Sequence, residues 1–198
     1  ILKRCIGKGV SLIKKHRIYI LLTHSGSLLS KCINFYTKEP YTHVSIALDE
    51  ELKELYSFGR LKPNNPIIGG FVKEDIENGT YARFPETRCA VYSLDINEMQ
   101  YRRLLRELEK FKKNKERYRY NLIGLFGVAI NYPVERKYNY FCSQFVSTLL
   151  KRSGIKLIDK PTALTSPKDF RECKKLNLIY EGKLRNYYFR NHMLIENY

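Results

Sequence analysis

Tryptophan is absent and methionine occurs only twice, yet the core is not short of material: 43% of the 198 residues are hydrophobic, and 16 Tyr and 10 Phe carry the aromatic share. That composition excludes a disordered chain, and no Pro-, Ser- or Gln-rich stretch interrupts it. Long apolar runs are also missing. The longest, Leu122 to Ile130, is broken by Gly124 and Gly127 and is about half of the ~18 residues that a membrane-spanning helix needs. CxxC pairs do not occur among the five cysteines at 5, 32, 89, 142 and 173. An odd, unpaired set argues against a disulfide framework and against a cysteine-rich zinc site. Acidic residues are lacking altogether from the first 17 positions.

What is present fits one domain, because 23.5 kDa is enough to bury one core and leaves little room for a second. Residues 1–16 read as a basic N-terminal segment and 17–198 as a single domain. Ile6, Val10 and Ile13 recur at helical spacing in the first part, which suits a surface helix docked on the domain or lying on a membrane. Ile1 stands where an initiator Met would, consistent with a removed leader, an anchor or an upstream domain. Reduced thiols favour a cytoplasmic or membrane-peripheral location, with export an open option. The net charge of +16 suits an anionic membrane or cell-wall surface, or simply a solvated basic face. Nucleic acid is disfavoured because no recognition motif accompanies the charge.

The hydrophobic pattern predicts a mixed α+β fold. A buried strand over Arg17 to Thr23 leads to a helix capped by Ser25, with Leu28, Leu29, Cys32, Ile33 and Tyr36 as its apolar face. Thr42 to Leu48 alternates as a strand, with His43, Ser45 and Ala47 on its smaller face. A second strand near Lys53 to Phe58 puts Leu55 and Ser57 on one side. Gly59 to Gly70, with two prolines and a Gly-Gly pair, reads as a functional loop. Two more strands are expected at Tyr81 to Phe84 and Cys89 to Leu94. A capping box at Asp95 and Glu98 opens a helix with a strongly basic outer face. Leu122 to Ile130 reads as core, or as lining for an acyl pocket. A helix runs from Cys142 to a cap at Gly154, Ser166-Pro167 opens another, and a last strand covers Leu176 to Tyr180.

Cys142 is the cysteine placed at a helix N-terminus, where unpaired N–H groups and the helix dipole favour a thiolate and can hold an oxyanion. Among the four histidines, His16 and His192 read as solvated surface and His24 ends a strand. His43 opens a strand onto a face of small residues, with room for a neighbouring helix terminus, and is the better base.

Tyr41-Thr42-His43-Val44-Ser45-Ile46, followed by a strand and then by Tyr140-Phe141-Cys142-Ser143-Gln144-Phe145-Val146, resembles the circularly permuted NlpC-type papain-like amidases, in which the His strand precedes the Cys helix. The likeness covers roughly residues 18–59 and 118–170. It implies a permuted papain-like domain with an antiparallel sheet packed on helices, and a cysteine hydrolase cleaving a peptide or isopeptide amide through Cys142 and His43. It calls for no metal or organic cofactor. The implied substrates are peptides, muropeptides or lipid-derived amides and esters. A lipid acyltransferase or thioesterase of the same fold, or a non-catalytic binder of anionic polymers, stands as the alternative. Such proteins orient the histidine with a polar residue on the next strand, often Glu. Ser57 matches that position best, with Glu54 or Tyr56 as substitutes if the register slips.

Overall fold

The computed structural model describes residues 15–27, 30, 34, 38–62 and 65–193. Of the basic helix expected at 3–16, residues 3–14 lie outside them, as does the apolar face at 28, 29, 32, 33 and 36, while Lys15 and His16 are strand and not helix. The fold is α+β. Six strands form one antiparallel sheet: β1 (Lys15–His24), β2 (His43–Ala47), β3 (Leu55–Lys62), β4 (Asn65–Glu74), β5 (Arg88–Asn97) and β8 (Asn177–Lys183), in the order β4-β3-β2-β1-β5-β8. A short parallel pair, β6 (Arg119–Tyr120) and β7 (Asn139–Tyr140), makes a second sheet.

Both faces of the main sheet are covered, which is why β1 is apolar at successive positions instead of alternating. On one face Ile18, Ile20, Leu22, Val44, Ile46 and Phe58 pack with Leu104, Leu108 and Phe111 of α2 (Glu98–Lys113) and with Phe145, Val146 and Leu149 of α4 (Cys142–Arg152). On the other, Tyr19, Leu21, Leu55 and Val91 pack with Tyr81 of α1 (Gly79–Arg83) and with Leu184 and Tyr187 of α6 (Leu184–Met193). Phe145 anchors the start of α4, its ring 5.2 Å from that of Phe58 and 5.0 Å from that of Phe111, the latter nearly perpendicular, a favoured aromatic geometry.

Several expectations are corrected. The described residues between Gly59 and Gly70, 59–62 and 65–70, are not loop: they form the facing arms of the β3–β4 hairpin, with Gly59 opposite Gly70 and Phe58 opposite Phe71. The glycine pair is needed because a Cβ at Gly69 would sit 2.9 Å from Tyr120 Cβ, and one at Gly70 would sit 3.1 Å from the Tyr118 carbonyl. Tyr81 to Phe84 is not a strand, since Gly79 turns the chain at φ +68° into α1. Asp95 does not cap α2. Strand β5 runs on to Asn97, Asp95 pairs with Arg17, and Asn97 and Gln100 form the capping box. Leu122 to Ile130 is α3 (Leu122–Ala129) and the residue after it, and among its described side chains the large apolar ones are not fully buried, with Ile123 57% and Ile130 72% exposed. Gly154 does end α4, at φ +79°. The Ile155 N–H reaches the Leu150 carbonyl and the Gly154 N–H that of Lys151, the paired bonds of a Schellman cap. Ser166 precedes α5 (Pro167–Arg171) as expected, its N–H bonded to Asp169.

Candidate active site

Cys142 is the first residue of α4, delivered there by β7 and by Phe141. Asn121 braces the approach: its N–H donates to the Tyr140 carbonyl, and its side chain caps α3 at Gly124 and donates to the Val134 carbonyl. The first-turn N–H groups of such a helix have no acceptor within it. They face the position where a thiolate gains most from the dipole.

His43 opens β2. The β2–β3 ladder pairs only Ile46 with Tyr56 and Ala47 with Leu55, so the two strands part toward His43. In that gap His43 Nε2 lies 2.8 Å from Glu74 Oε1. Glu74, at the end of β4, also accepts the Ser57 hydroxyl on Oε1 at 2.7 Å, and on Oε2 the Ser45 hydroxyl at 2.5 Å and the Tyr81 hydroxyl at 3.1 Å. With Nε2 committed to the carboxylate, Nδ1 is the nitrogen left for the thiol. The His43 side chain hydrogen-bonds Cys142, and the backbone N–H groups of Val44 and Ser143 point at the sulfur.

The electrostatics follow from these contacts. Burial alone would raise the Cys142 thiol, but the adjoining imidazolium and the two N–H groups outweigh it and hold the thiol below its ordinary value. Burial would push His43 toward neutrality, yet Glu74 and Cys142 together raise it well above the usual histidine range. Glu74 stays below the ordinary carboxylate range despite its burial, held there by His43, Ser45 and Ser57. Burial and Glu74 keep the Tyr81 hydroxyl protonated, and so a donor.

The sequence brought Cys142 and His43 forward, and the fold joins them. Ser57, expected to orient the histidine, instead donates to Glu74, which bonds His43 directly. Glu54 and Tyr56 point elsewhere and hydrogen-bond each other, with Lys73 on Glu54. The small face of β2 does not receive the Cys helix: Glu74 and Tyr81 occupy it, and α4 packs on the opposite face. His24 bonds Ser30. His16 is not solvated surface: it stacks on Tyr101 at 4.1 Å and bonds Glu98.

A cavity of about 80 Å³ opens beside His43 and Glu74, bounded by Phe58, Gly59, Gly69 and Tyr120 on the hairpin side of its lining. Among the described residues, none from 122 to 130 contributes to it. Free thiols among the described residues are Cys89, Cys142 and Cys173. No cluster of His, Cys, Asp and Glu there could hold a metal ion. A scan against protein-family models finds no match, and searches of curated proteins and of solved structures find none either.

Proposed function

We propose that this chain is a cysteine hydrolase of the circularly permuted papain-like, NlpC-type fold, cleaving an amide through Cys142 with His43 as base and Glu74 as the orienting carboxylate. One observation carries the reading: a helix-terminal cysteine, a histidine and a buried carboxylate stand in hydrogen-bonded series, and three hydroxyl donors fix the carboxylate. A buried charge with that many dedicated partners is costly to maintain for packing alone. The order of His strand before Cys helix supports the family, as do the antiparallel sheet and the helix packed on it.

In this mechanism the Cys142 thiolate attacks the carbonyl. The N–H groups at the start of α4 stabilise the oxyanion, and the His43 imidazolium protonates the departing amine. Water, activated by the now neutral His43, then releases the acyl group. Glu74 holds the ring in place and stabilises its cationic form without itself taking the proton.

Iodoacetamide labelling, read by mass spectrometry at each cysteine across pH, tests the pair. Cys142 is expected to label near neutral pH roughly tenfold faster than Cys173, and to lose that advantage in His43→Ala. Labelling no faster than Cys173 would remove the activated nucleophile and leave the non-catalytic binder.

A further inference from the structure

α3 has no polar residue in its sequence, and no charged residue occurs from Asn121 to Val134. A helix of that composition belongs in a core or in a membrane. Here it lies at the surface: Ile123 is 57% exposed, and Leu122, Leu125 and Val128 are only half-buried. The chain reverses directly after it, at Asn131 with φ +55°, and the Tyr132 N–H returns to the Gly127 carbonyl at 2.8 Å. Val134 then reaches back to the foot of the helix, its carbonyl accepting from the Asn121 side chain at 3.0 Å. Helix and returning segment form one unit, roughly 12 Å long at 1.5 Å per helical residue. The turn at its far end carries Ile130, 72% exposed, and Tyr132, 65% exposed.

The foot of the unit is basic. β6 and β7 run side by side there, with Arg119 opposite Asn139. The Arg117 guanidinium and the Lys137 ammonium both lie over the Tyr138 ring, at 4.6 and 5.3 Å from its centre. Lys115, Arg119 and Arg136 are exposed on the same flanking segments, against two acids, Glu116 and Glu135. An uncharged apolar tip above a cationic collar matches the layering of an anionic bilayer, whose headgroups attract the cations while the acyl boundary takes the tip. A protein groove could take the apolar residues alone, but the collar selects a negative surface lying all round the tip. No helix among the described residues is long and apolar enough to cross a membrane, so the contact is a shallow one. We propose that α3 and the turn after it are a membrane-docking element, inserting Ile130 and Tyr132 into an anionic phospholipid surface while the collar meets the headgroup phosphates. Asn121, at the foot of α3, also donates to the Tyr140 carbonyl, just before Phe141 and Cys142, which ties the docked element to the chain that delivers the nucleophile. The attachment itself does not depend on whether Cys142 is catalytic.

The chain has no tryptophan, so Ile130→Trp supplies a single fluorophore at the tip. With vesicles of equal parts phosphatidylcholine and phosphatidylserine, its emission is expected to shift to the blue, and to shift less with phosphatidylcholine alone or at high salt. In vesicle co-sedimentation of the full chain, Ile130→Ser with Tyr132→Ser changes no charge and is expected to lower partitioning into the mixed vesicles by about tenfold. Arg136→Glu with Lys137→Glu is expected to lower it more than the same reversal at Arg103 and Arg106 on α2, both exposed. The tryptophan readout keeps the question decidable should the serine pair disturb the turn. Unshifted emission, undiminished partitioning of the serine variant, or equal loss in the two charge reversals would overturn the docking element and leave any vesicle attraction to net charge. A self-association of the parent chain that the serine variant loses, without vesicle binding, would assign the surface to a second copy and overturn it equally.

Discussion

Glu74 is only 12% exposed on its side chain, yet it is ionised. Removing a carboxylate from water costs several kcal/mol, and one imidazolium and three hydroxyls offset that here. Replacing it by Gln keeps the shape and deletes the charge. Glu74→Gln is expected to lower kcat by on the order of 10³ with a smaller change in KM. It should also move the Cys142 alkylation profile to higher pH, because a less cationic His43 no longer holds the thiol down. The signs also give a pH window. Glu74 and Cys142 are depressed from 4.5 and 9.0, so the stability they confer is full above those values and lost as pH falls through the lower folded ones. His43 is raised from 6.5, so its contribution is full below 6.5 and lost as pH rises through the folded value. A bell-shaped kcat/KM profile is expected, its acid limb set by loss of the thiolate and its alkaline limb by loss of the imidazolium. A flat profile across neutral and alkaline pH would remove His43 as the acid.

The β3–β4 hairpin is the element that brings Glu74 to the site, and glycine makes it possible. A Cβ at Gly69 would stand 2.8 Å from the Gly59 carbonyl as well as against Tyr120. Gly69→Ala is expected to cost about 1–3 kcal/mol, seen as a fall of roughly 2–4 °C in Tm for each kcal/mol at this chain length. An unchanged Tm would show that β6 yields freely. The same glycines explain why the carboxylate was not legible in the sequence. Gly69-Gly70 beside Pro66 carries the composition of a loop, and the tyrosines that require the pair, Tyr118 and Tyr120, come far later in the chain. The site residues that were legible sit on local signals. His43 starts a clean alternation, and Cys142 opens an amphipathic stretch closed by Gly154. Ser57 was placed on the correct face, but its partner lies across the next strand, where pairing between distant segments, unlike periodicity, leaves no local trace. α1 was missed for another reason: Tyr81 and Phe84 are the only large apolar residues in and beside a five-residue helix, too short to establish a helical period.

At the scale of the whole molecule the charge dominates. Ion pairs such as Arg102 with Glu98 and Lys112 with Glu109 quench part of the basic face of α2, but a net +16 remains. Self-repulsion of that size works against the compact state. It weakens as the screening length drops from ~30 Å at 0.01 M to ~8 Å at 0.15 M salt. Tm is therefore expected to rise by a few degrees over that range in sodium chloride, and a fall would mean that attractive pairs outweigh the repulsion. The chain order of the site bears on biosynthesis as well. His43 on β2 and Glu74 on β4 belong to the run β4-β3-β2-β1-β5, whose neighbours can pair in turn while the polypeptide beyond Asn97 is still being made, whereas the nucleophile arrives with α4. A growing chain thus carries the base and its carboxylate before it carries a reactive sulfur. Cys142 keeps the sluggish chemistry of a free thiol until its helix docks beside Val44, so the hazardous group is switched on last, by the completion of folding itself.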